Sequence, residues 1–247
     1  MKKFVTLFKI EGKLGLRCPD GIFFGIGMPM GIMLFIGLIA GQKPAFEGAG
    51  YTFLQSSFTA LVTVGICATA FMGVPLTIAD YRDKKILKHF FVTPVSPMML
   101  LAVHVLINAM IAIVSALCVT AVAVVVFSYT MTGSVIKFAG TYLLVMLSMY
   151  SLGILIASIC RTVKTANVVC SLVYFPMLFL SGATIPYEIF PESLRKVADI
   201  LPLTQGIKLL KGISLGMQTD DFLKPFMVMA AAIIIGIAGT IAVFRWE

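Results

Sequence analysis

Charged residues are scarce in this sequence. Of 247 residues, 12% are Asp, Glu, Lys or Arg and 60% are hydrophobic, whereas soluble domains average about 25% charged and about 45–50% apolar residues. So few charges could not cover a folded surface in water, which excludes a soluble globular protein. The excess of apolar surface predicts a protein that uses lipid as its solvent.

Motifs for nucleotide binding and for hydrolysis are missing as well. The nearest approach to a G-x-x-x-x-G-K-[ST] phosphate loop is the stretch from Gly25 to Gly31, which is apolar and has no lysine. The sequence contains no H-E-x-x-H, no G-x-S-x-G and no paired carboxylates inside an apolar segment. These absences argue against an intramembrane enzyme. They also predict that any ATP used in transport is bound by another chain.

Cysteines are few, odd in number and never closely spaced. This pattern favours free thiols that act as small hydrophobic side chains, and it argues against a disulfide framework or a metal site. The five are Cys18, Cys67, Cys118, Cys160 and Cys170.

Long apolar segments dominate what the sequence does contain. They lie at about 21–40, 53–79, 99–127, 138–160, 166–181 and 223–244, and a membrane span needs roughly 20 such residues. No Asp, Glu, Lys or Arg lies near the middle of any segment, where a charge costs about 2.5–3.5 kcal/mol. We therefore predict a single all-α membrane domain, residues 1–247, with six transmembrane helices.

The distribution of Lys and Arg predicts the orientation. Twelve of the nineteen basic residues lie in the N-terminal segment, the 80–98 loop, the 161–164 turn and the C-terminus. The short connections at 41–52 and 128–137 carry one each. The positive-inside rule then places both termini in the cytoplasm. The long 182–222 connection lies outside by parity.

Residues 1–17 are basic and amphipathic. Lys9, Lys13 and Arg17 recur at every fourth position, which would align them on one face of a helix. This pattern favours an interfacial helix with its lysines near anionic head groups. The alternative is the start of a cleaved signal peptide, but the 21–40 run exceeds the usual signal core of 7–15 residues.

The cytoplasmic loop between the second and third segments predicts a short amphipathic helix. We expect Asp83 to be its N-cap and Pro94 to end it. The apolar stripe would comprise Ile86, Leu87, Phe90 and Phe91, and the opposite face would comprise Lys84, Lys85 and Lys88. Such a helix either transmits force from a soluble partner or lies in the head-group layer. The residues alone do not separate these two.

The outer connection between the fifth and sixth segments is too apolar for a solvated loop. Pro186 and Pro191 suit first-turn positions of helices, with Glu188 and Glu192 close behind them. We predict a hairpin of two short helices, about residues 182–205, that dips back into the membrane. A surface loop with interfacial helices is the alternative.

In these two segments the sequence resembles the type-2 permease family of ATP-binding-cassette exporters, including drug-resistance and nodulation-factor export permeases. The hairpin pattern of that family reads here as Ser181-Gly182, Pro186, Pro191 and Pro202-Leu203-Thr204, followed by Gly212. The six-span order agrees over nearly the whole chain. In the cytoplasmic loop, Arg82, Asp83, Leu87 and Thr93-Pro94-Val95-Ser96 fit the family pattern.

The resemblance implies that the cytoplasmic helix, called a coupling helix, docks in a cleft of a separate ATPase. The implied docking residues are Arg82, Asp83, Lys84, Lys85, Leu87, Lys88, Phe90, Phe91, Thr93 and Pro94. Four positions depart from the family: Tyr81 and Lys88 stand where acids are common, and Lys85-Ile86 stands where Gly-Thr is common. Because these departures make the helix unusually basic, we expect an acidic docking surface on the partner.

The resemblance also implies an assembly and a function. Two permease subunits, identical or paralogous, would face each other in a bacterial inner membrane and bind two ATPase subunits that carry ATP and Mg²⁺. The exported compound is expected to be a hydrophobic or amphipathic small molecule, with a polysaccharide or glycolipid as the alternative. The implied gate comprises Ser181, Gly182, Pro186, Glu188, Pro191 and Pro202. The implied path wall comprises Tyr174, Phe175, Met177, Leu178 and Phe179.

An ion-coupled secondary transporter is the alternative from another class. Such proteins usually carry ionisable residues inside the membrane, and here only His104 and Asn108, four residues apart in the third segment, stand out. We expect these two to make hydrogen bonds between helices. Proton-driven uptake by the purified chain alone would favour the secondary transporter.

Overall fold

The computed structural model describes residues 2–15, 19–41, 43–46, 49–86, 97–182, 187, 190–217 and 223–243. These residues are almost entirely helical. None belongs to a strand, and Pro44 and Thr52 form an isolated antiparallel bridge. The predicted all-α fold is confirmed.

Six helices are long and apolar enough to cross a bilayer, as predicted. We number them as spans 1 to 6: Phe23–Ala40, Phe53–Asp83, Met98–Phe127, Val135–Ile159, Val163–Leu180 and Leu223–Val243. Span 2 extends four residues beyond its predicted end, and spans 4 and 5 each begin three residues earlier than predicted. Span 5 begins early because the Thr162 hydroxyl accepts a hydrogen bond from the Thr165 backbone N–H, which caps the helix at Val163.

Shorter helices lie outside the spans. These are α1 (Lys2–Gly15), α2 (Glu192–Ala198) and α3 (Pro202–Ser214), and one further turn, Pro19–Ile22, leads into span 1. Helix α1 buries Leu7 in a cluster with Leu100, Val103 and Ile107 of span 3. The side chains of Lys3, Lys9 and Lys13 are exposed, so α1 has the amphipathic character that its sequence predicts.

The helix bundle formed by the described residues has two ends, which we call the N-terminal face and the opposite face. The N-terminal face carries α1, the end of span 2 and the turn between spans 4 and 5, and the opposite face carries α2 and α3. At the N-terminal face, the Arg82 guanidinium donates hydrogen bonds to the carbonyls of Ala157 and Cys160. These bonds fix the end of span 2 to the end of span 4. The positive-inside prediction assigns this face to the cytoplasm.

Span 2 forms the centre of the bundle. Its residues from Ser56 to Phe71 are all buried, and span 4 approaches it closely at a glycine. A Cβ added at Gly153 would lie 2.2 Å from the Ala70 carbonyl oxygen, so a larger residue would push the two helices apart. The four described cysteines, Cys67, Cys118, Cys160 and Cys170, are unpaired thiols.

Two spans contain a turn of π-helix. Phe23–Gly27 opens span 1, and Thr69–Gly73 lies within span 2. The two segments face each other, since a Cβ at Gly25 would lie 3.5 Å from the Thr69 methyl carbon. Turns of this kind are rare and often lie at functional sites.

Candidate functional site

The segment predicted to dock on an ATPase begins as a direct extension of span 2. The helix Val74–Asp83 runs through Asp83, which is therefore a last-turn residue and not the N-cap of a new helix. That part of the prediction is wrong, because tertiary contacts hold span 2 helical to this point. The Asp83 carboxylate instead faces the Val163 backbone N–H at 3.5 Å, where its charge favours the start of span 5.

The chain then makes a sharp turn at two lysines. Lys84 pairs with Asp80 one turn earlier, at 2.8 Å on the surface. Lys85 has a φ of 57°, in the left-handed region that favours glycine. This is the position at which the resemblance led us to expect glycine, so the backbone conformation gives a physical reason for the family pattern. Leu87, Lys88, Phe90, Phe91, Thr93 and Pro94 lie outside the described residues.

Arg82 is a special member of the predicted docking set. Its guanidinium lies against the carbonyls that end span 4, so its charged group is turned into the chain. This contact satisfies carbonyls that a helix C-terminus leaves without partners. Arg82 therefore positions the docking segment relative to span 4.

A buried polar cluster joins α1, span 2 and span 3 beside that segment. The Tyr81 hydroxyl donates a 2.7 Å hydrogen bond to the Glu11 carboxylate, and His104 Nε2 lies 3.6 Å from the same oxygen. Glu11 is only 6% exposed, although it belongs to a basic surface helix. His104 approaches another helix through this contact, but its Nε2 has no hydrogen-bond partner among the described residues. The Asn108 amide donates to the His104 carbonyl within its own helix, so the described residues do not show the hydrogen bonds between helices that the sequence predicted. Sequence reasoning missed Glu11, because one acid among lysines is typical of a solvated face.

Span 5 ends at the predicted Ser181-Gly182 pair. Ser181 is buried, and its hydroxyl donates a hydrogen bond to the Leu178 carbonyl. Gly182 has a φ of 88°, which requires glycine at the turn. Pro191 precedes α2, and Pro202 is the first residue of α3. Pro186 and Glu188 lie outside the described residues.

The predicted hairpin is held together by a cluster around Asp199. The Tyr187 hydroxyl donates a 2.8 Å hydrogen bond to its carboxylate, the Lys208 ammonium forms a salt bridge with it, and Gln205 donates to its backbone carbonyl. Lys208 also lies 3.7 Å from the centre of the Tyr187 ring. Burial alone would raise the pKa of Asp199, but the hydrogen bonds from Lys208 and Tyr187 outweigh it and lower the pKa below its usual value.

Helix α3 enters the bundle and runs further than predicted. A Cβ at Gly206 would lie 2.6 Å from Val145, which is ten residues into span 4, or about 15 Å along its axis. The helix continues past the predicted limit of 205 to Ser214, whose carbonyl accepts a bond from the Thr132 backbone N–H. Lys211 near its end donates to the Ser56 hydroxyl.

A cavity of about 490 Å³ lies among spans 1, 2, 3 and 5. Tyr174, Phe175 and Leu178 of the predicted path wall line it. Of the other two predicted residues, Met177 is buried in the core and Phe179 is 52% exposed on the outside. Both π-helical turns contribute to the wall of the cavity, through Gly25 in span 1 and through Thr69, Met72 and Gly73 in span 2.

Comparison with known proteins identifies relatives over most of the chain. The family model described as ABC-2 type transporter matches residues 2–215. Nodulation protein J of Neorhizobium galegae is 26% identical to this chain over 233 residues, which cover 93% of this chain and 84% of that protein.

Proposed function

The chain belongs to the ABC-2 type transporter family, and from this premise we propose that it moves an amphipathic small molecule out of the bacterial cytoplasm. As a family member with six apolar spans, it is a multi-pass membrane permease of the ABC exporter class. Members of this family generally work with an ATPase partner. In our proposal ATP and Mg²⁺ are bound by a separate ATPase chain, and this chain contributes no catalytic residue.

The single observation that carries the proposal is the rigid continuation of span 2 into the docking segment. Span 2 remains helical through Asp83, and Arg82 is hydrogen-bonded to the end of span 4. Asp83 faces the start of span 5. A push on residues 84–96 would therefore reach three spans at once, which is what an ATPase needs in order to move a membrane domain.

A second permease subunit completes the proposed assembly. Large apolar side chains are exposed along span 5 and along α2, including Leu172 and Phe179 of span 5 and Leu194 and Val197 of α2. An apolar strip of this kind needs either lipid or protein against it. We propose that the two copies, identical or paralogous, meet along these elements in the inner membrane.

The cavity supports an amphipathic compound over a polysaccharide. Seven of its fifteen described lining residues are Phe, Met, Leu or Ile, which bind apolar groups. Its polar side chains, Thr69, Asn108, Asn167 and Tyr174, suit a compound with a few hydroxyl or carbonyl groups better than a chain of sugars. The proposed mechanism is ATP-driven closure of the ATPase pair, transmitted through the docking segments, with release past the outer hairpins.

Copurification tests the proposal. A tag on this chain is used to isolate the mildly solubilised complex from native membranes, and ATP hydrolysis is measured. We expect a soluble ATPase to accompany the chain and to be lost when Lys84, Lys85 and Lys88 are changed to Glu, because the docking surface of the partner is expected to be acidic. As a control, the same reversal is made at Lys3, Lys9 and Lys13 on α1, which should retain the ATPase. Isolation of the chain alone, with no nucleotide dependence, would contradict the proposal.

A further inference from the structure

The cavity among spans 1, 2, 3 and 5 has the size of a small-molecule site. Its volume of about 490 Å³ falls within the range of about 300–1,000 Å³ that is typical of ligand pockets. Spans 1 and 2 reach it with their π-helical turns, where glycines form part of the wall. At Gly73 the fit is tight, since an added Cβ would lie 2.0 Å from the Asn108 side-chain oxygen.

The described part of the lining favours uncharged ligands. Among the described residues that form the wall there is no Asp, Glu, Lys, Arg or His. An ionised group placed against these residues would lose its hydration without gaining a counter-charge from them, which costs several kcal/mol. We therefore expect a ligand to be neutral over the part that contacts them.

Polar groups with spare hydrogen-bonding capacity are present in the wall nevertheless. The Tyr174 hydroxyl is buried and has no hydrogen-bond partner among the described residues. Buried polar groups are normally satisfied, so this hydroxyl calls for a ligand that supplies a carbonyl or hydroxyl partner. Two amides in the same wall offer further hydrogen-bonding groups: the exposed Asn167 and the half-buried Asn108. The Asn108 amide uses one donor on the His104 carbonyl, and an amide has two N–H donors and an acceptor oxygen.

The mouth of the cavity points sideways. Phe24 of span 1 and Phe175 of span 5 both line it, and they are 51% and 48% exposed. Two half-exposed aromatic side chains at the rim give an apolar entrance between spans 1 and 5. Compounds already dissolved among apolar chains can reach such an entrance without crossing water.

We propose that this cavity binds an uncharged amphiphile, with its apolar body against Phe24, Met72 and Phe175 and its carbonyl or hydroxyl groups on Asn108, Asn167 and Tyr174. The inference rests on the proposed export function, which it deepens by naming the substrate class. The occupant could come from two sources, a transported compound or a neutral lipid of the bilayer. Both share the same chemistry.

The test measures saturable binding to the purified full chain in nanodiscs, without ATP or ATPase. The probe is Nile red, a neutral dye with a carbonyl acceptor, and the cationic dye rhodamine 6G serves as its charged counterpart. We expect saturable Nile red binding and at least tenfold weaker binding of rhodamine 6G. Equal binding of both dyes would overturn the proposal.

Two variants locate the site. Ala68→Phe places a ring in the cavity and should weaken Nile red binding at least tenfold, whereas the matched control Ala121→Phe, on the exposed side of span 3, should leave it unchanged. Asn167→Leu removes the amide at an exposed position where folding is not at risk, and it should weaken binding at least threefold. If Ala68→Phe lowers the unfolding midpoint, Asn167→Leu alone decides. Wild-type affinity in the correctly folded variants would overturn the proposal.

Mass spectrometry of the extracted protein separates the two sources. A neutral lipid that accompanies the wild-type chain but not Ala68→Phe identifies the bilayer as the source, and its absence with intact Nile red binding identifies a transported compound. Binding is measured without nucleotide, so it is independent of the export proposal. Failure of the export proposal would appear in the copurification experiment, where no ATPase would accompany this chain.

Discussion

At the scale of single residues, Lys85 has a strained backbone conformation that favours glycine, which is the residue common at this position in the family. A non-glycine residue in the left-handed region costs about 1–2 kcal/mol in the folded state. Glycine avoids this cost, but it loses more conformational entropy on folding, which offsets part of the gain. Lysine occupies this position despite that cost. We propose that its charge offsets the cost, because the docking surface of the partner is expected to be acidic.

The first prediction follows from that strain. Lys85→Gly should raise the free energy of unfolding by about 0.5–1 kcal/mol, because the φ of 57° then carries no Cβ penalty. Thermal unfolding of the purified chain measures it. Lys84→Gly is the matched control, since Lys84 has a φ of −78° and glycine there should be neutral or destabilising. Equal effects at both positions would contradict the assignment of strain to Lys85.

The second prediction concerns the buried carboxylate. Tyr81→Phe removes the hydroxyl that donates to Glu11 and should lower the free energy of unfolding by about 1–3 kcal/mol, because the carboxylate is left buried without that partner. Combining it with Glu11→Leu forms a double-mutant cycle. The double variant should be less destabilised than the sum of the two single variants. Simple additivity would show that the two side chains do not interact.

At the scale of elements, the outer hairpin depends on Asp199. Asp199→Asn should lower the unfolding midpoint at pH 7, because it removes the salt bridge with Lys208. The pKa of Asp199 lies below its usual value of 3.8, so the folded state holds the ionised form more firmly than the unfolded state does. That stabilisation is present above the usual value and is lost as the pH falls through the lowered pKa.

The difference between Asp199→Asn and the wild type should therefore shrink below about pH 4, where the unfolded wild type becomes protonated. Asp80→Asn is the control, since its pair with Lys84 is exposed and surface pairs contribute little. A destabilisation by Asp199→Asn that stays constant down to pH 3 would contradict this account of the hairpin.

Element by element, apolar length predicted the spans well and their ends less well. The middles of all six follow from runs of apolar residues that need lipid. The ends depend on contacts that spacing does not reveal, such as the Thr162 cap on span 5 and the Arg82 bonds that keep span 2 helical through Asp83. Helix α3 was predicted too short because Ser214 is held by Thr132, which is 82 residues away.

At the scale of the whole molecule, the candidate site could be predicted only in part. Three of the five predicted path residues, Tyr174, Phe175 and Leu178, line the cavity because their side of span 5 faces it. Phe179 does not line the cavity, because its side chain lies on the exposed outside of the bundle. The contributions of spans 1 and 3 could not be predicted. They depend on how four helices pack around two π-helical turns, and no single segment encodes that arrangement.

In the proposed function, ATP, not an ion gradient, drives movement through the permease. The His104–Glu11 contact lies at the N-terminal face beside α1, and neither residue lines the cavity. A proton-coupled pathway would need ionisable groups in the cavity wall, and the described residues there provide none. ATP dependence therefore separates the two classes of transporter.

The most direct measurement is dye uptake into inside-out membrane vesicles that contain this chain and its copurified ATPase. Nile red accumulation is followed with ATP, with a non-hydrolysable analogue, and with ATP plus a protonophore. We predict uptake that requires hydrolysable ATP and persists when the protonophore abolishes the proton gradient. Uptake that proceeds without ATP and collapses with the gradient would contradict the account.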